Sequence, residues 1–418
     1  MVKEYKVPWA AWREPEFLSL TFPDSWDIEM CTMNGSGTSE LSEVEIKNAI
    51  TNPIGSPKIS ELAEGKENAV IVIDDMTRPT EISKIIPCVL EELKKANIEK
   101  DQITILLAIG AHRPMNRQDC ILKLGVDIVD TYRIENHHPY INLKHLGKSY
   151  AGTPIYVNKT YLDADLKIAI GGVIPHTLAG FGGGAKIVLP GVCGIKTLAA
   201  NHTGRTGGIG TITDARRDIE DIAKKVGLDF SINVILTDIG KIARIFSGDF
   251  IDAHREAMKF GLGFYSTKVS SNYKICFLNT YPEDSELEQA QYKSINFLFT
   301  APSNLIDRKG AIVMMTSSYE GRGYHSLVSE TGSMLHHNLK DSKGYMSAMG
   351  EKKVYLFSPN VNEYDKNHLW PESVKLFNKW EDLILELKTV FGDSLKAAII
   401  PSSIQLSEGW VQERENKS

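Results

Sequence analysis

The sequence predicts an α/β protein of two domains, each built on a mostly parallel sheet, with the active site in the cleft between them. Short, nearly continuous apolar runs alternate with stretches of helical periodicity, which is typical of parallel strands covered on both faces. The 418 residues exceed what one hydrophobic core usually organises. Ionisable residues follow the ends of three predicted strands, where open α/β sheets bind their ligands.

The first part of the chain contains four apolar runs that predict strands, Ala69–Asp75, Ile103–Gly110, Leu166–Gly172 and Ile232–Asp238. Apolar residues at helical spacing predict helices over Glu81–Ala96 and Thr211–Val226. Thr80 is expected to cap the first of these helices, with Glu81 beginning it.

A second series of strands and helices begins near residue 274. The predicted strands are Lys274–Thr280, Gly310–Ser317, Val354–Ser358 and Ala397–Pro401, and the predicted helices are Ser285–Thr300 and Trp380–Val390. The periodicity breaks near 261–272, so we assign residues 1–268 to an N-terminal domain and residues 269–401 to a C-terminal domain. Residues from about 402 to 418 form a segment that could pack back on the first domain.

Composition and charge exclude several classes of function. The net charge is −6, and the Lys and Arg residues are dispersed along the chain, so the sequence shows no basic cluster that would bind nucleic acid. No apolar run approaches the ~20 residues that span a bilayer, and the N-terminus lacks the apolar stretch of a signal peptide. The five cysteines form no CxxC pair, which favours thiols in a reducing cytosol. We therefore expect a cytoplasmic protein that binds neither nucleic acid nor membrane.

The residues that follow the first two predicted strands are candidates for an anion or ligand site. Asp75 and Arg78 follow the first strand in D-M-T-R-P, and His112 follows the second in G-A-H-R-P-M. An arginine at a strand's carboxyl end, beside a helix N-terminus, favours a carboxylate or phosphate. A single isolated histidine such as His112 is otherwise more often structural. The pairs His137–His138 and His336–His337 are expected at the surface.

The third strand leads into a glycine-rich segment, Pro175–Thr203. Eight glycines lie between Gly171 and Gly194, ends included, which indicates a backbone that passes close to something or takes positive φ. His176 and His202 flank Lys186 in this segment. The lysine does not complete a P-loop, and no acidic residue follows at the spacing of a dinucleotide fold. The segment therefore predicts a cofactor held at Lys186.

These motifs together resemble the lactate racemase family, the nickel-pincer-nucleotide-dependent racemases and epimerases of 2-hydroxyacids. The matching residues are D-x-T-R-P at 75–79, G-x-H-R-x-M at 110–115, P-H at 175–176, G-G-G-A-K at 182–186, P-G at 190–191 and N-H at 201–202. They occur in the family's order and spacing over most of the N-terminal domain.

The resemblance implies a role for each matching residue. Lys186 would carry the nickel-pincer nucleotide covalently and His202 would ligate its nickel, with Asp75 and Thr77 also lining the cofactor pocket. His112 and His176 would be the two acid/base catalysts, and Arg78 would bind the carboxylate of a 2-hydroxyacid. The reaction implied is inversion of C2 by proton-coupled hydride transfer, with cofactor-maturation enzymes as partners.

The chemistry accounts for these residue types. Side chains supply no hydride acceptor, so the reaction needs a cofactor. Histidine, with an unperturbed pKa of ~6.5, can give and take protons near neutrality, and a neutral imidazole nitrogen suits Ni(II).

The sequence departs from the family pattern in the C-terminal domain. When Gln289 is aligned with the family's glutamine, Tyr292 stands where a lysine is expected and Lys293 comes one residue late. Gln289, Tyr292 and Lys293 are therefore candidates for substrate contact, and lactate cannot be assumed as the substrate. The alternative for Lys293 is a solvated lysine on a helix surface.

Two further functions stay open from the residues alone. Lys186 could form a Schiff base with pyridoxal phosphate, the glycines holding its phosphate. The protein could instead be a non-catalytic metal or cofactor carrier that uses His112, His176 and His202 for storage.

Overall fold

The computed structural model describes residues 2–327 and 349–415, which form two compact units. The larger unit comprises residues 37–261 and 325–327. The smaller unit comprises residues 2–36, 262–324 and 349–415. Each unit contains a six-stranded sheet that is mostly or wholly parallel, which confirms the predicted α/β fold class.

The strands, in chain order, are β1 (Val2–Pro8), β2 (Phe17–Pro23), β3 (Asp27–Met30), β4 (Ala69–Asp74), β5 (Ile103–Ala108), β6 (Arg133–Asn136), β7 (Leu143–Lys148), β8 (Pro154–Asn158), β9 (Leu166–Gly172), β10 (Pro175–His176), β11 (Gly180–Phe181), β12 (Phe230–Leu236), β13 (Ile242–Gly248), β14 (Ser266–Thr267), β15 (Tyr273–Asn279), β16 (Ile306–Met315), β17 (Lys353–Phe357), β18 (Lys375–Phe377), β19 (Lys396–Ile400) and β20 (Leu406–Ser407).

The described α-helices are α1 (Glu43–Thr51), α2 (Ile59–Leu62), α3 (Ile86–Lys95), α4 (Arg117–Leu124), α5 (Val126–Thr131), α6 (Lys159–Asp163), α7 (Ile195–His202), α8 (Asp214–Val226), α9 (Asp252–Phe264), α10 (Leu287–Lys293), α11 (Glu363–Leu369), α12 (Trp380–Phe391) and α13 (Glu408–Glu415). Short 3₁₀ turns lie at Ile82–Lys84, Lys100–Gln102, Gly184–Ile187 and Asn296–Phe299. None of the helices in the described part of the chain has both the length and the apolar content needed to span a membrane.

The larger unit is organised by a sheet with the order β13-β12-β9-β4-β5-β6. All neighbours are parallel except β12 and β13. Every residue of β4 is buried, as expected for a central strand that is apolar toward both faces. Because β9, β4 and β5 are neighbours and run in the same direction, the segments that follow them leave from one edge of the sheet.

The smaller unit has a sheet in the order β18-β17-β16-β15-β19-β3, with all neighbours parallel. Alternate residues of its central strands enter two different cores. Cys276 and Leu278 pack in one core, and Ile275 and Phe277 pack in the other. This alternation is the period of two that a strand imposes on its side chains.

The observed division of the chain differs from the predicted one at both termini. Residues 2–36 belong to the smaller unit, because β3 extends the sheet edge and pairs in parallel with β19. Residues 402–415 also belong to that unit, where β20 pairs with β14. The larger unit ends at residue 261, and the chain returns to it at residues 325–327. A strand that completes a sheet edge satisfies its backbone groups, whatever its distance along the chain.

Two local predictions were wrong. Thr80 does not cap a helix, because its hydroxyl donates to Oδ2 of Asp74 at 2.7 Å and the helical turn begins only at Ile82. His137 is not at the surface but 1% exposed, with Nε2 donating to the carbonyl of Cys193 at 2.9 Å. Burial lowers the pKa of His137 to about 4. His138 is exposed, as predicted, and His336–His337 lie outside the described residues.

Candidate active site

A buried lysine fixes the turn that follows β4. Lys123 on α4 is fully buried, and its Nζ lies 2.7 Å from Oδ1 of Asp74. The same ammonium donates to the carbonyls of Asp75 at 2.8 Å and Arg78 at 2.7 Å. Burial lowers the pKa of Lys123, and the carboxylate of Asp74 opposes this shift. The turn that presents Asp75 and Arg78 is therefore tied to the helix that follows β5.

The carboxylate of Asp75 and the ring of His112 form a hydrogen-bonded pair. Nδ1 of His112 donates to Oδ2 of Asp75 at 2.6 Å. Burial disfavours the ionised carboxylate, but its interactions with His112, Arg78 and Thr77 outweigh this effect and hold the pKa of Asp75 well below its usual range. Because Nδ1 carries the proton toward Asp75, Nε2 of the neutral ring keeps its lone pair. A strand-end pair of this kind presents an oriented imidazole base.

Thr77 and Arg78 complete the turn around this pair. The backbone N–H and the hydroxyl of Thr77 donate to Oδ1 of Asp75 at 2.9 and 2.5 Å. Nη1 of Arg78 donates to the hydroxyl of Thr77 at 2.9 Å and to its carbonyl at 3.1 Å. The structure thus brings Asp75, Thr77, Arg78 and His112 together. It stays a prediction that Thr77 contacts a cofactor and that Arg78 contacts the substrate.

His176 lies in the small hairpin formed by β10 and β11, where it pairs with Gly180. Its Nδ1 accepts hydrogen bonds from the backbone N–H groups of Leu178 and Ala179, both at 3.2 Å. A neutral ring with Nδ1 as acceptor carries its proton on Nε2. His176 and His112 are therefore held in opposite tautomers. The convergence of His176 with the other predicted site residues stays a prediction.

Glycine is required where the hairpin passes its neighbours. Gly180 has a φ of +76°, and a Cβ there would meet the carbonyl oxygen of Thr211 at 1.8 Å. Gly183 has a φ of +69°, and a Cβ at this position would lie 2.5 Å from Cγ2 of Val173. L-residues rarely adopt such a φ, and no side chain fits these gaps.

The underside of the glycine-rich loop is held by a buried guanidinium. Arg216 on α8 is fully buried and donates to the carbonyls of Ala179 and Gly183, each at 3.2 Å, and to that of Phe181. Burial lowers the pKa of Arg216 to about 10. Nε2 of His254 adds a hydrogen bond to a further carbonyl of the loop at 2.7 Å. The loop conformation is therefore set by side chains that follow it in the sequence.

Lys186 and His202 are placed near each other by this loop and by α7. Lys186 lies in the 3₁₀ turn Gly184–Ile187, and His202 is the last residue of α7. Nδ1 of His202 donates to the carbonyl of Leu198 at 2.8 Å, which leaves Nε2 as the acceptor. Burial, and then the charge of Lys186, lower the pKa of His202 to about 4. His202 is therefore a neutral imidazole in the tautomer that binds metal through Nε2.

A further histidine, His325, stands beside the pair of Asp75 and His112. The rings of His112 and His325 have centroids 5.0 Å apart and meet edge to face. His202 is also within electrostatic range, since its ring, like that of His112, contributes to lowering the pKa of His325 after the larger effect of burial. His325 therefore contacts the ring of His112 and lies within electrostatic range of His202.

The three candidates from the smaller unit lie on α10. Gln289 and Lys293 are buried, at 9% and 7% exposure, and Tyr292 is partly buried. Nζ of Lys293 lies 2.6 Å from Oε2 of Glu283, which is 1% exposed. The alternative that Lys293 is a solvated surface lysine is therefore wrong. The role of all three residues as substrate contacts stays a prediction.

Sequence reasoning missed three residues that shape the site: Lys123, Arg216 and His325. Lys123 and Arg216 sit inside helices of ordinary amphipathic pattern, where nothing distinguishes a buried cation from a surface one. His325 follows the strand β16, as the other site residues follow strands, but ten residues after its end. The short G-R-G-Y-H run at 321–325 was the available signal.

Known proteins share both sequence and fold with this chain. A family model described as the lactate racemase N-terminal domain matches residues 14–208. Lactate racemase from Lactiplantibacillus plantarum is 33% identical over 315 residues, which cover 72% of this chain and 71% of that protein. Lactate racemase from Thermoanaerobacterium thermosaccharolyticum is 32% identical over 305 residues, 69% of each chain.

The solved structures are similar in fold. The lactate racemase apoprotein from T. thermosaccharolyticum superposes with a TM-score of 0.74 and 22% identity, covering 97% of this chain and 99% of that one. A protein from Thermotoga maritima gives a TM-score of 0.64 and 20% identity, with 88% and 99% covered. Sequence identity above 30% over more than two thirds of each partner, together with this shared fold, sets the assignment. The chain belongs to the lactate racemase family.

Proposed function

We propose that this chain is an isomerase, a racemase or epimerase that inverts C2 of a 2-hydroxyacid by proton-coupled hydride transfer. The observation that carries the proposal is the pair of Asp75 and His112 in the same unit as Lys186 and His202. The ring of His112 donates from Nδ1 to Asp75, so its Nε2 can act as a base. The ring of His202 donates from Nδ1 to a carbonyl, so its Nε2 can bind a metal. The names of the relatives, lactate racemases, support the reaction class.

The residues present fit a nickel-pincer nucleotide. The side-chain amine of Lys186 would hold the nucleotide covalently. The loop that carries Lys186 packs closely against neighbouring residues, because its glycines leave no room for a Cβ. Nε2 of His202 offers the nickel a neutral nitrogen, with Nδ1 anchored to a carbonyl, as the other ring nitrogen of a metal-bound histidine usually is. When bound, this cofactor supplies a hydride acceptor, which protein side chains lack.

Proton transfer is the task of the chain's own histidines. Nε2 of His112 accepts the proton of the substrate hydroxyl, and the carboxylate of Asp75 stabilises the imidazolium that results. The pKa of Asp75, held well below its usual range, keeps that carboxylate ionised throughout. Arg78, beside the same turn, orients the substrate carboxylate through its planar fork.

His176 acts from the other side of the substrate. Its Nε2 carries a proton, because Nδ1 is occupied by two backbone N–H groups. It therefore returns a proton to the oxygen on C2 when the opposite configuration forms. Two histidines in opposite tautomers match a reaction in which one group removes a proton and another delivers one.

Maturation enzymes that build and load the nucleotide are the partners this function requires. The five cysteines are all thiols rather than disulfides, which supports a cytoplasmic location. Because Tyr292 stands in the position of the family's lysine, the identity of the 2-hydroxyacid is left open.

The decisive experiment follows the hydrogen on C2. We expect protein made together with the maturation enzymes to carry nickel and a mass adduct on Lys186, and to racemise a 2-deuterated hydroxyacid with most of the deuterium retained. Lys186→Ala should abolish adduct and activity, whereas Lys196→Ala, an exposed lysine on α7, should change neither. Full activity in Lys186→Ala would refute the proposal.

The two other functions give different results in the same samples. A pyridoxal phosphate enzyme would leave the 2-deuterated hydroxyacid unchanged, because this substrate has no amino group to form a Schiff base, and it would show an absorbance that borohydride abolishes. A carrier would bind metal and leave the configuration of every hydroxyacid unchanged.

A further inference from the structure

The larger unit holds a third histidine beside His112 that takes no part in the proton transfers above. The backbone of His325 forms an antiparallel bridge with His112. Next to it, Ser326 donates to the carbonyl of Ala111 from its N–H at 2.7 Å and from its hydroxyl at 3.1 Å. Leu327 is 1% exposed and packs with Ala111 in the apolar core. These contacts fix the His325 backbone against the loop that presents His112.

The ring of His325 is oriented as well as its backbone. Nδ1 accepts the N–H of Leu327 at 3.3 Å, so the neutral ring carries its proton on Nε2. Its centroid is 5.0 Å from that of His112, with the rings at 64°. Asp75 and His202 also act on it electrostatically. A histidine that can donate from Nε2 is thus held next to the ring of the proposed base, His112.

We propose that His325 contacts the substituent on C3 of the substrate and selects 2-hydroxyacids whose C3 bears a hydroxyl or a carboxylate. This inference rests on the proposed function, because it takes the substrate hydroxyl to lie on Nε2 of His112. A group on C3 is separated from that hydroxyl by only C2 and C3, so it falls beside the base, where the ring of His325 lies.

An imidazole N–H donates a hydrogen bond, so it favours substrates that carry an acceptor on C3. Lactate offers only a methyl group on C3, which accepts no hydrogen bond. A site built to hydrogen-bond a polar group of its substrate discriminates strongly against an analogue that lacks this group. His325 is therefore a specificity-determining residue, whereas His112 and His176 handle protons for any 2-hydroxyacid.

The test compares three substrates in loaded enzyme. We expect His325→Ala to raise the KM for malate or glycerate ~10- to 100-fold, the range for a lost hydrogen bond to a polar or charged group, with lactate changed less than about twofold. His325→Gln, which keeps an N–H donor, should recover most of the loss. His138→Ala, an exposed histidine of the same unit, serves as the control. Equal changes for all three substrates, or no change, would overturn the inference.

A second measurement does not depend on turnover. In cofactor-free protein labelled with ¹⁵N-histidine, malate and glycerate should shift the ring signal that His325→Gln removes, and lactate should leave it in place. If the loaded wild type racemises nothing, the proposed function fails, yet this titration still decides the role of His325. A His325 signal that does not respond to malate or glycerate refutes the assignment.

Discussion

Replacing Asp75 with asparagine should stop the proton transfer at His112 while leaving the fold in place. The carboxylate accepts from His112 through Oδ2 and from Thr77 through Oδ1. In Asp75→Asn the carbonyl oxygen of the amide can keep the two bonds from Thr77. The NH₂ group then faces Nδ1 of His112, which must become an acceptor. The ring proton moves to Nε2, where the base needs a lone pair.

The size of the effect follows from the geometry. Replacing the carboxylate that orients a catalytic imidazole by its amide costs ~10⁴-fold in kcat when the ring takes the wrong tautomer. The 2.6 Å bond to His112 is short enough for a charge-assisted hydrogen bond, and the amide replaces it with a neutral one, so the free energy of unfolding should fall by about 1 kcal/mol. Because the pKa of Asp75 is well below its usual range, its stabilising contribution should be largely present at pH 5 and be lost progressively as the pH falls from about 4 through that lowered value.

Racemisation kinetics, urea unfolding and ¹⁵N NMR of the imidazoles measure the three consequences separately. Asp127→Asn, at an exposed carboxylate of the same unit, is the matched control. The reasoning about the tautomer is refuted if Asp75→Asn keeps more than about a tenth of wild-type kcat, where ~10⁴-fold loss is expected, or if the His112 signals still report a proton on Nδ1.

Three other predictions test two buried charged residues and the glycine-rich hairpin. Lys123→Met should lower the free energy of unfolding in urea by about 3–5 kcal/mol, because Asp74 stays buried without its cation; a loss below about 1 kcal/mol would contradict this. Burial raises the pKa of Asp284 to about 6, so the folded protein keeps a proton that the unfolded chain has lost. Stability should therefore fall by up to ~3 kcal/mol as the pH rises from about 4 to 6, and Asp284→Asn should remove this dependence in unfolding measured across that range. Gly180→Ala should speed amide hydrogen exchange in residues 176–187, since its Cβ would meet the carbonyl of Thr211 at 1.8 Å; unchanged exchange would show that the hairpin tolerates a side chain.

The meeting of Asp75 and His112 could be predicted because both follow apolar strands. β4 and β5 pair in parallel, from Ala69 with Ile103 to Asp74 with Ala108, so their carboxyl ends lie side by side. The rule that ligands bind at such ends then needs no knowledge of the rest of the fold. The same rule applied to β9 led to the glycine-rich loop with Lys186.

The failures have a common cause. Threonine often caps helices, but the hydroxyl of Thr80 donates instead to the buried carboxylate of Asp74. His137 looked like half of a surface pair until its ring proved to be buried against the backbone at Cys193. In both cases the position of the side chain depends on a hydrogen-bond partner that is remote in sequence or buried. The local sequence pattern contains no information about such partners.

The amino-acid sequence by itself determined the α/β class, the strand ends that carry ionisable groups and the glycine-rich loop, because apolar periodicity and glycine act locally. Only the tertiary structure decided the tautomers of His112, His176 and His202, the return of His325 to the larger unit and the placement of residues 2–36 in the smaller one. These features depend on hydrogen bonds and strand pairs between residues whose separation along the chain leaves no trace in local pattern.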